Sequence, residues 1–511
     1  MSFNDEEILK SEKLTYFVLV PIIILYSLFL TIFAQSGFPQ FDSTYFFMPY
    51  VSDKIIGEDG YYMLTVAWNL AQGYGISYNF GEETTGIQPL ATFVYAVIAK
   101  VVQIFEYDKF VFARWTFFFN TILFVYFSHL MGKLSSIILK DTNERVIYLV
   151  AFSMSLFNLV LFKHFTYGLE TGLYLILFSL TIIHALTRPI DKLKNITVFG
   201  ILVGLTGLAR IDFGIIFFIF FLFVVMSDKK KFSPLIYVGI IALLIVSPWF
   251  LYIYKITGQW IPSSGGAQAS LVSSSDVLIN RAFIMINSIG DNAIPFLYGG
   301  RVFISLFEVL ISLICIYLIN KFSVFSCIKE DYKYWLYGTG IIILIYITTF
   351  WAHHFYTRYS SPIVLFTIPI LSVLIVKITQ NITHINRFIL FCIGMFFVFS
   401  TLVYHRGAVD NLHSISTGYI LDRYPNKVIG AFQSGVLGYY NTNTYNLDGK
   451  LDSESLQFLK EGKIDQIISQ KKIDVIIDWE MYIRKINTEY LKDNFVLVDS
   501  LSNKSQVYIR K

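Results

Sequence analysis

Apolar runs long enough to cross a bilayer recur along most of this 511-residue chain, and they constrain its fold more than any other feature. About 20 consecutive apolar residues span the hydrocarbon core as a helix, whose backbone needs no water to satisfy it. Such runs occupy Leu14–Ala34, Val111–Leu130, Val146–Phe162, Leu173–Leu186, Ile196–Leu208, Phe213–Met226 and Pro234–Tyr254. They continue with Val302–Ile319, Trp335–Trp351, Pro362–Val376 and Phe388–Tyr404, eleven in all. A further run, Ile87–Phe105, is interrupted by Gln88, Pro89, Lys100 and Gln103. Only 15% of residues are charged, against 49 Phe and 34 Tyr. That balance excludes a soluble enzyme, a secreted disulfide scaffold and a disordered chain. The net charge of +4 is small and dispersed among loops, so nucleic acid is not an expected partner. The fold class is a polytopic α-helical membrane protein with about 11 transmembrane helices.

Charge density marks a domain boundary. Residues 406–511 hold 14 Lys/Arg and 13 Asp/Glu, whereas the preceding 405 hold the other 49 charges. The chain therefore divides into a transmembrane domain, 1–405, and a soluble tail, 406–511, large enough for one small α/β domain. Apolar strands are expected at Lys427–Phe432, near Tyr445, and at Asp474–Asp478, Phe495–Val498 and Gln506–Ile509, with helical spacing over Glu454–Lys472. The Gly435/Gly438 spacing lacks the Lys-Ser/Thr of a phosphate loop. Cys315, Cys327 and Cys392 offer neither a disulfide framework nor metal spacing. The leading segment Met1–Lys13 is mixed in charge, so Leu14–Ala34 reads as an uncleaved first helix.

Short cytoplasmic loops are enriched in Lys and Arg. The loops Gly132–Arg145, Arg188–Asn195, Asp228–Ser233, Lys321–Lys333 and Lys377–Arg387 together carry 14 of them. They share a side with the N-terminus only if Ile87–Phe105 lies in, or dips into, the outer interface. The expected topology has a cytoplasmic N-terminus, an extracytoplasmic tail and a cytoplasmic (inner) membrane location. In it Glu58, Asp59, Arg114, Lys163, His164, Glu170, Arg210, Asp212, Lys255, His353, His354 and Arg358 all fall at the outer side. Charges at helix mouths are costly and usually functional.

The first outer loop is the most informative. It reads Glu58-Asp59-Gly60-Tyr61-Tyr62, then Asn69-Leu70-Ala71-Gln72-Gly73-Tyr74-Gly75, then Gln88-Pro89-Leu90. Tyr62–Ala71 has helical composition, and Gly73 stands where a C-cap would. Two readings fit the acidic pair: an N-terminal cap for that helix, or carboxylates that act on a substrate at the membrane surface.

The order of these pieces resembles the GT-C superfamily of membrane glycosyltransferases. That group uses polyprenyl-phosphate sugars and includes protein O-mannosyltransferases, lipid A aminoarabinose transferases and arabinofuranosyltransferases. The resemblance rests on Glu58-Asp59, Tyr61, Asn69-Leu70-Ala71, Gly73 with Gly75, Pro89-Leu90 and Arg114, continuing through Gly168-Leu169-Glu170-Thr171, Leu208-Ala209-Arg210, Arg358-Tyr359 and Pro362. It departs at Glu58, where relatives often have Asp, and at Thr65, where they often have Arg.

The resemblance implies transfer of a sugar, with inversion, from a polyprenyl-phosphate donor to a glycan, lipid or protein acceptor among membrane lipids. A base must take the acceptor's proton, a role that falls to Asp59, with Glu58 second. Cations must meet the charge developing on the phosphate: Arg114 and Arg358 first, Lys255 and Arg210 behind them. Glu170, Tyr61, Asn69, His164, His353 and Tyr359 are acceptor-binding or supporting candidates. Arg210–Asp212 reads equally as a structural pair, and Arg358-Tyr359 as an interface anchor. No cofactor is required by the pattern, and a divalent metal is left open because the histidines do not show three convergent ligands. The stretch Lys255–Gly300 reads either as a cover over the site or as a plain connector. A transporter or flippase, and a non-catalytic binder of lipid-linked sugar, are the competing functions.

Overall fold

The computed structural model describes residues 56–79, 81–105, 107–139, 144–156, 158–265, 278–293, 313–349, 356–379 and 412–511, with Pro21 and Leu25. Nearly all of Leu14–Ala34, most of Val302–Ile319, all of Phe388–Tyr404, the 405/406 boundary and His353 lie outside them. Every other expected run is helical. Lys109–Ile137, Lys229–Thr257 and Thr357–Ile378 are each long and apolar enough to cross a membrane. Pro89–Phe105, Thr171–Thr187, Leu193–Ala209 and Phe213–Ser227 are shorter apolar helices. The Phe232–Thr257 helix turns Leu243 (69% exposed) and Leu244 (68%) outward, a face suited to lipid and not to water. The chain is a multi-pass membrane protein.

Sequence periodicity misses one break. Val146–Phe162 reads as a single run, yet Val146–Leu156 and Val160–Thr166 are separate helices bent by 64°. Asn158 restarts the chain, its side chain accepting from the Leu161 amide at 3.1 Å. An Asn inside an apolar run is a helix-start signal. Elsewhere aromatic packing fixes the bundle: buried Trp335 on the Glu330–Thr349 helix stacks 3.9 Å from Phe220.

The ambiguous run is a 17-residue helix, Pro89–Phe105, packed on the Glu58–Gln72 helix. Its polar interruptions have a local purpose. Lys100 donates to the Ala71 carbonyl (3.1 Å) and Gln103 to that of Trp68 (3.2 Å), satisfying the open C-terminal end of its neighbour. Gly73 caps that helix in the left-handed region (φ 91°), as its position predicts. Gly60 through Asn69 of the 58–72 helix are buried, packed between the Pro89–Phe105 helix, Phe112 and Leu169 on one part and the tail's Val436 and Tyr439 on another.

The tail is a small α/β domain. Its five-stranded sheet has the order β2 (Thr444–Asn446), β1 (Ile429–Ala431), β3 (Val475–Trp479), β5 (Ser505–Arg510), β4 (Phe495–Ser500). The first three strands are parallel and the last two add antiparallel. The expected 454–472 helix is two helices, Ser453–Lys460 and Ile464–Gln470, with Gly462 left-handed (φ 67°) between them. Loops leaving β1, β2 and β3 share the carboxyl edge of the sheet, where open α/β sheets present binding groups. Here the tail rests on residues 62–79. Tyr78 Oη donates to the Ser434 carbonyl (2.6 Å), Asn79 to that of Thr444 (2.8 Å), and Ser434 N to Tyr62 Oη (3.1 Å).

Candidate active site

Two glycine-bearing turns bring the carboxylates together. The Gly57 amide donates to the Tyr167 carbonyl at 3.0 Å, placing Gly57-Glu58-Asp59-Gly60 against Tyr167-Gly168-Leu169-Glu170. A Cβ on Gly60 would lie 2.1 Å from that carbonyl oxygen and 3.1 Å from the Gly168 Cα. Gly168 is itself left-handed (φ 82°). Only glycines allow both the turn and the approach. The bend after Leu156 delivers the second turn to the first.

Glu170 begins the Thr171–Thr187 helix and is 1% exposed, with Arg358 Nε 4.0 Å from its Oε1. Its Oε2, Thr171 Oγ1 and Ser361 Oγ are buried with no hydrogen-bond partner among the described residues. Buried polar atoms are rarely left so, and an open Glu170 oxygen on a carboxylate that faces a guanidinium fits a site that receives a polar ligand. Asp59 stands on the first turn, which the Gly57–Tyr167 hydrogen bond and the Gly60 approach hold against the turn that carries Glu170. Tyr359 lies under the Arg358 guanidinium at 5.2 Å.

Arg210 is committed elsewhere. It pairs through two nitrogens with Asp212, donates to Tyr346 Oη (3.1 Å) and to the Arg358 carbonyl (3.3 Å), and lies between the Tyr174 and Tyr359 rings. Its observed work is structural: it holds the backbone of Arg358. Glu58 does not cap its own helix, whose N-cap is Gly57. Its carboxylate accepts instead from the Gly435 amide and, at 3.0 Å, from that of Val436, with His413 Nδ1 3.8 Å away. It therefore anchors the tail, and both readings of it offered by the sequence miss that role.

Tyr61 packs on Tyr439 at 5.1 Å. Asn69 donates to the Ser77 and Tyr78 carbonyls, each at 2.9 Å, and closes the Gly73–Gly75 turn. Buried His164 meets Asn292 Oδ1 at 3.0 Å, and Asn292 in turn donates to the Thr357 carbonyl and to Ser360 Oγ; this is a bracing histidine. Lys255 is exposed in the last turn of its helix, and Arg114 is half-buried near the start of the Lys109–Ile137 helix. No three His, Cys, Asp or Glu side chains among the described residues gather to hold a metal.

One residue at the site escapes sequence reading. Lys450, in the turn after β2, reaches Asp59 Oδ1 (3.3 Å) and Asp448 Oδ2 (3.2 Å) and lies over the Tyr62 ring at 5.7 Å. Burial works to lower its ammonium, but Asp448 and Asp59 outweigh that and hold it well above the ordinary lysine range. Its Asp-Gly-Lys context reads only as a turn; no local pattern links it to a residue 391 positions earlier.

The class defined by fold and site is a multi-pass membrane protein whose soluble domain closes over a buried cluster of carboxylates and cations. No protein-family model matches the sequence, and no curated protein does. Among solved structures the chain is similar to ArnT from Cupriavidus metallidurans bound to undecaprenyl phosphate, at 10% identity and a TM-score of 0.48 over 96% of this chain and 97% of that one. It is similar to the apo state of the same protein, at 10% identity and a TM-score of 0.48 over 97% and 98%.

Proposed function

We propose that this protein is an integral-membrane glycosyltransferase of the GT-C type, moving a sugar from a polyprenyl-phosphate donor to an acceptor outside the cytosol. One observation carries the reading: the turns that bear Asp59 and Glu170 are locked together at Gly60 and Gly168, with Arg358 Nε 4.0 Å from Glu170. Asp59 takes the acceptor hydroxyl proton as the acceptor oxygen bonds to the anomeric carbon. The bond from that carbon to the phosphate oxygen breaks on the opposite face, and its electron pair leaves with the lipid phosphate. Arg358 meets the charge that develops there, where a guanidinium binds bidentately. Glu170 orients Arg358 and, through its open oxygen, the acceptor. Lys/Arg-rich loops support the topology with the tail outside the cytoplasmic membrane.

The test is transfer from a panel of radiolabelled polyprenyl-phosphate sugars by the full chain in nanodiscs. Asp59→Asn is expected to lower turnover by about 10²–10⁴-fold; equal turnover by the variant removes Asp59 from the role. The break between Val146–Leu156 and Val160–Thr166 favours one other reading, a flippase, since transporters use interrupted helices. Lipid translocation without sugar transfer, in the same nanodisc-purified protein moved into vesicles, is the result that selects it.

A further inference from the structure

Lys450 is held with more care than a surface ion pair requires. Three segments fix its backbone: Asp448 Oδ1 accepts from its amide (2.9 Å), Ser263 Oγ donates to its carbonyl (2.8 Å), and Gly86 abuts that same carbonyl. A Cβ on Gly86 would sit 1.7 Å from the oxygen. Ser263 is in turn set by Thr85, whose Oγ1 accepts from its amide at 3.1 Å. The first outer loop, the turn after the Phe232–Thr257 helix and the tail thus converge to place one ammonium on Asp59.

Docking alone does not explain it. The tail is already fastened by Glu58, Tyr78, Asn79 and Tyr439, the last exchanging 2.5 Å hydrogen bonds with Lys109. Burying an ion pair costs several kcal/mol per ion in desolvation, and apolar packing docks a surface as well. A different lysine, Lys471, serves as an ordinary docking cation, pairing with Glu82 and Glu454 away from the cluster. Charge balance supplies the reason for Lys450. Asp59, Glu170 and Asp448 are three carboxylates, and an anionic donor adds to them. Arg210 is paired with Asp212, and Arg358 and Lys450 both meet these carboxylates, Arg358 at 4.0 Å from Glu170 and Lys450 at 3.3 Å from Asp59 and 3.2 Å from Asp448.

We infer that Lys450 is a positioning residue of the transfer site, supplied by the tail: it fixes Asp59 through Oδ1 and offsets its charge so that the phosphate can enter beside it. This rests on the glycosyltransferase reading and makes the tail part of the active site. The test compares the full chain with Lys450→Met, Lys450→Arg and Lys471→Met in nanodiscs, by initial rates with the donor that the wild type uses and by thermal melting. Lys450→Met is expected to lose about 10²-fold in kcat and to raise the donor KM, with its melting temperature close to wild type. Lys450→Arg is expected to recover most of the rate, and Lys471→Met to keep it all. Wild-type kcat and KM in Lys450→Met overturn the role. So does a lowered melting temperature with no rescue by Lys450→Arg, which marks a docking residue only. Absence of transfer by the wild type from every donor removes the glycosyltransferase reading first, and this role with it.

Discussion

Adding one methyl group at Gly60 tests whether loop contact is what assembles the site. The new Cβ would lie 2.1 Å from the Tyr167 carbonyl oxygen, where carbon–oxygen contacts ordinarily begin at about 3.3 Å. The obstacle is backbone, so no side chain can swing aside, and the two turns must part by roughly 1 Å. Overpacking of this kind costs about 1–3 kcal/mol. Stretching the 3.0 Å Gly57–Tyr167 hydrogen bond forfeits about 1 kcal/mol more. The chemical effect should exceed the thermodynamic one, because a misplacement of about 1 Å can cost 10²-fold in rate. Gly60→Ala is therefore expected to melt a few degrees lower and to transfer sugar about 10²-fold more slowly, with the loss mostly in kcat. Gly214→Ala is the control: nothing lies within 4 Å of its added Cβ, and both readouts should stay at wild type. A Gly60→Ala protein that melts lower but keeps its kcat would show that the glycine contact stabilises the fold without positioning Asp59 and Glu170, and would refute the argument.

Two further predictions follow from buried charge. Asp478, at the carboxyl end of β3, is pushed up to about 6 by burial, against three backbone amides that favour its ionised form. An acid raised in the folded state binds more protons there than when unfolded, so tail stability should fall as pH rises from about 4 to about 6, by roughly 3 kcal/mol. Hydrogen exchange of the β3 amides in the full chain should show the slope, Asp478→Asn should flatten it, and a flat wild-type profile contradicts the shift. In the Arg210–Asp212 pair, Arg210→Met or Asp212→Asn alone should destabilise by about 3–5 kcal/mol, whereas the double change Arg210→Met with Asp212→Leu should recover most of that. Melting of the detergent-purified variants measures it, and equal losses in all three would reject the coupling.

How much was legible depended on the range of the interaction. Hydropathy located most of the described membrane-domain helices, because the apolar stretch that lipid demands is local; it missed Leu278–Ala293, inside the stretch read as a cover or connector, and Asn158 divided an apolar run that composition alone left whole. The tail strands were legible for the same reason, with errors of at most two residues at their ends. Among the site residues, sequence reading named Asp59 and Glu170, which the fold sets on adjoining turns, and Arg358, which it sets beside Glu170. It also named Arg210, Asn69 and His164, which the fold assigns to bracing. Residue type cannot separate these groups. An arginine at a helix mouth is equally suited to a phosphate and to an aspartate two residues on, and which partner it meets depends on how neighbouring helices rotate.

Lys450 and Glu58 mark the farther limit. Each makes its decisive contact across more than 370 residues, with a partner on the other side of the junction between tail and bundle. What was present locally was a set of constraints without an apparent cause. Gly435 and Gly438 look like a phosphate loop without its lysine, yet the amides that follow β1 do bind an anion, the Glu58 carboxylate. Gly86 has no turn to make, yet a side chain there would strike the Lys450 carbonyl. Glycines that no local geometry requires are the trace that a long-range contact leaves in a sequence. Here they lie on both surfaces of one interface, the one that sets the tail's lysine on the acidic step of the membrane domain. A tail that was merely tethered would tolerate side chains at these positions, so the glycines argue for a docked tail whose placement over Asp59 is fixed by backbone contact.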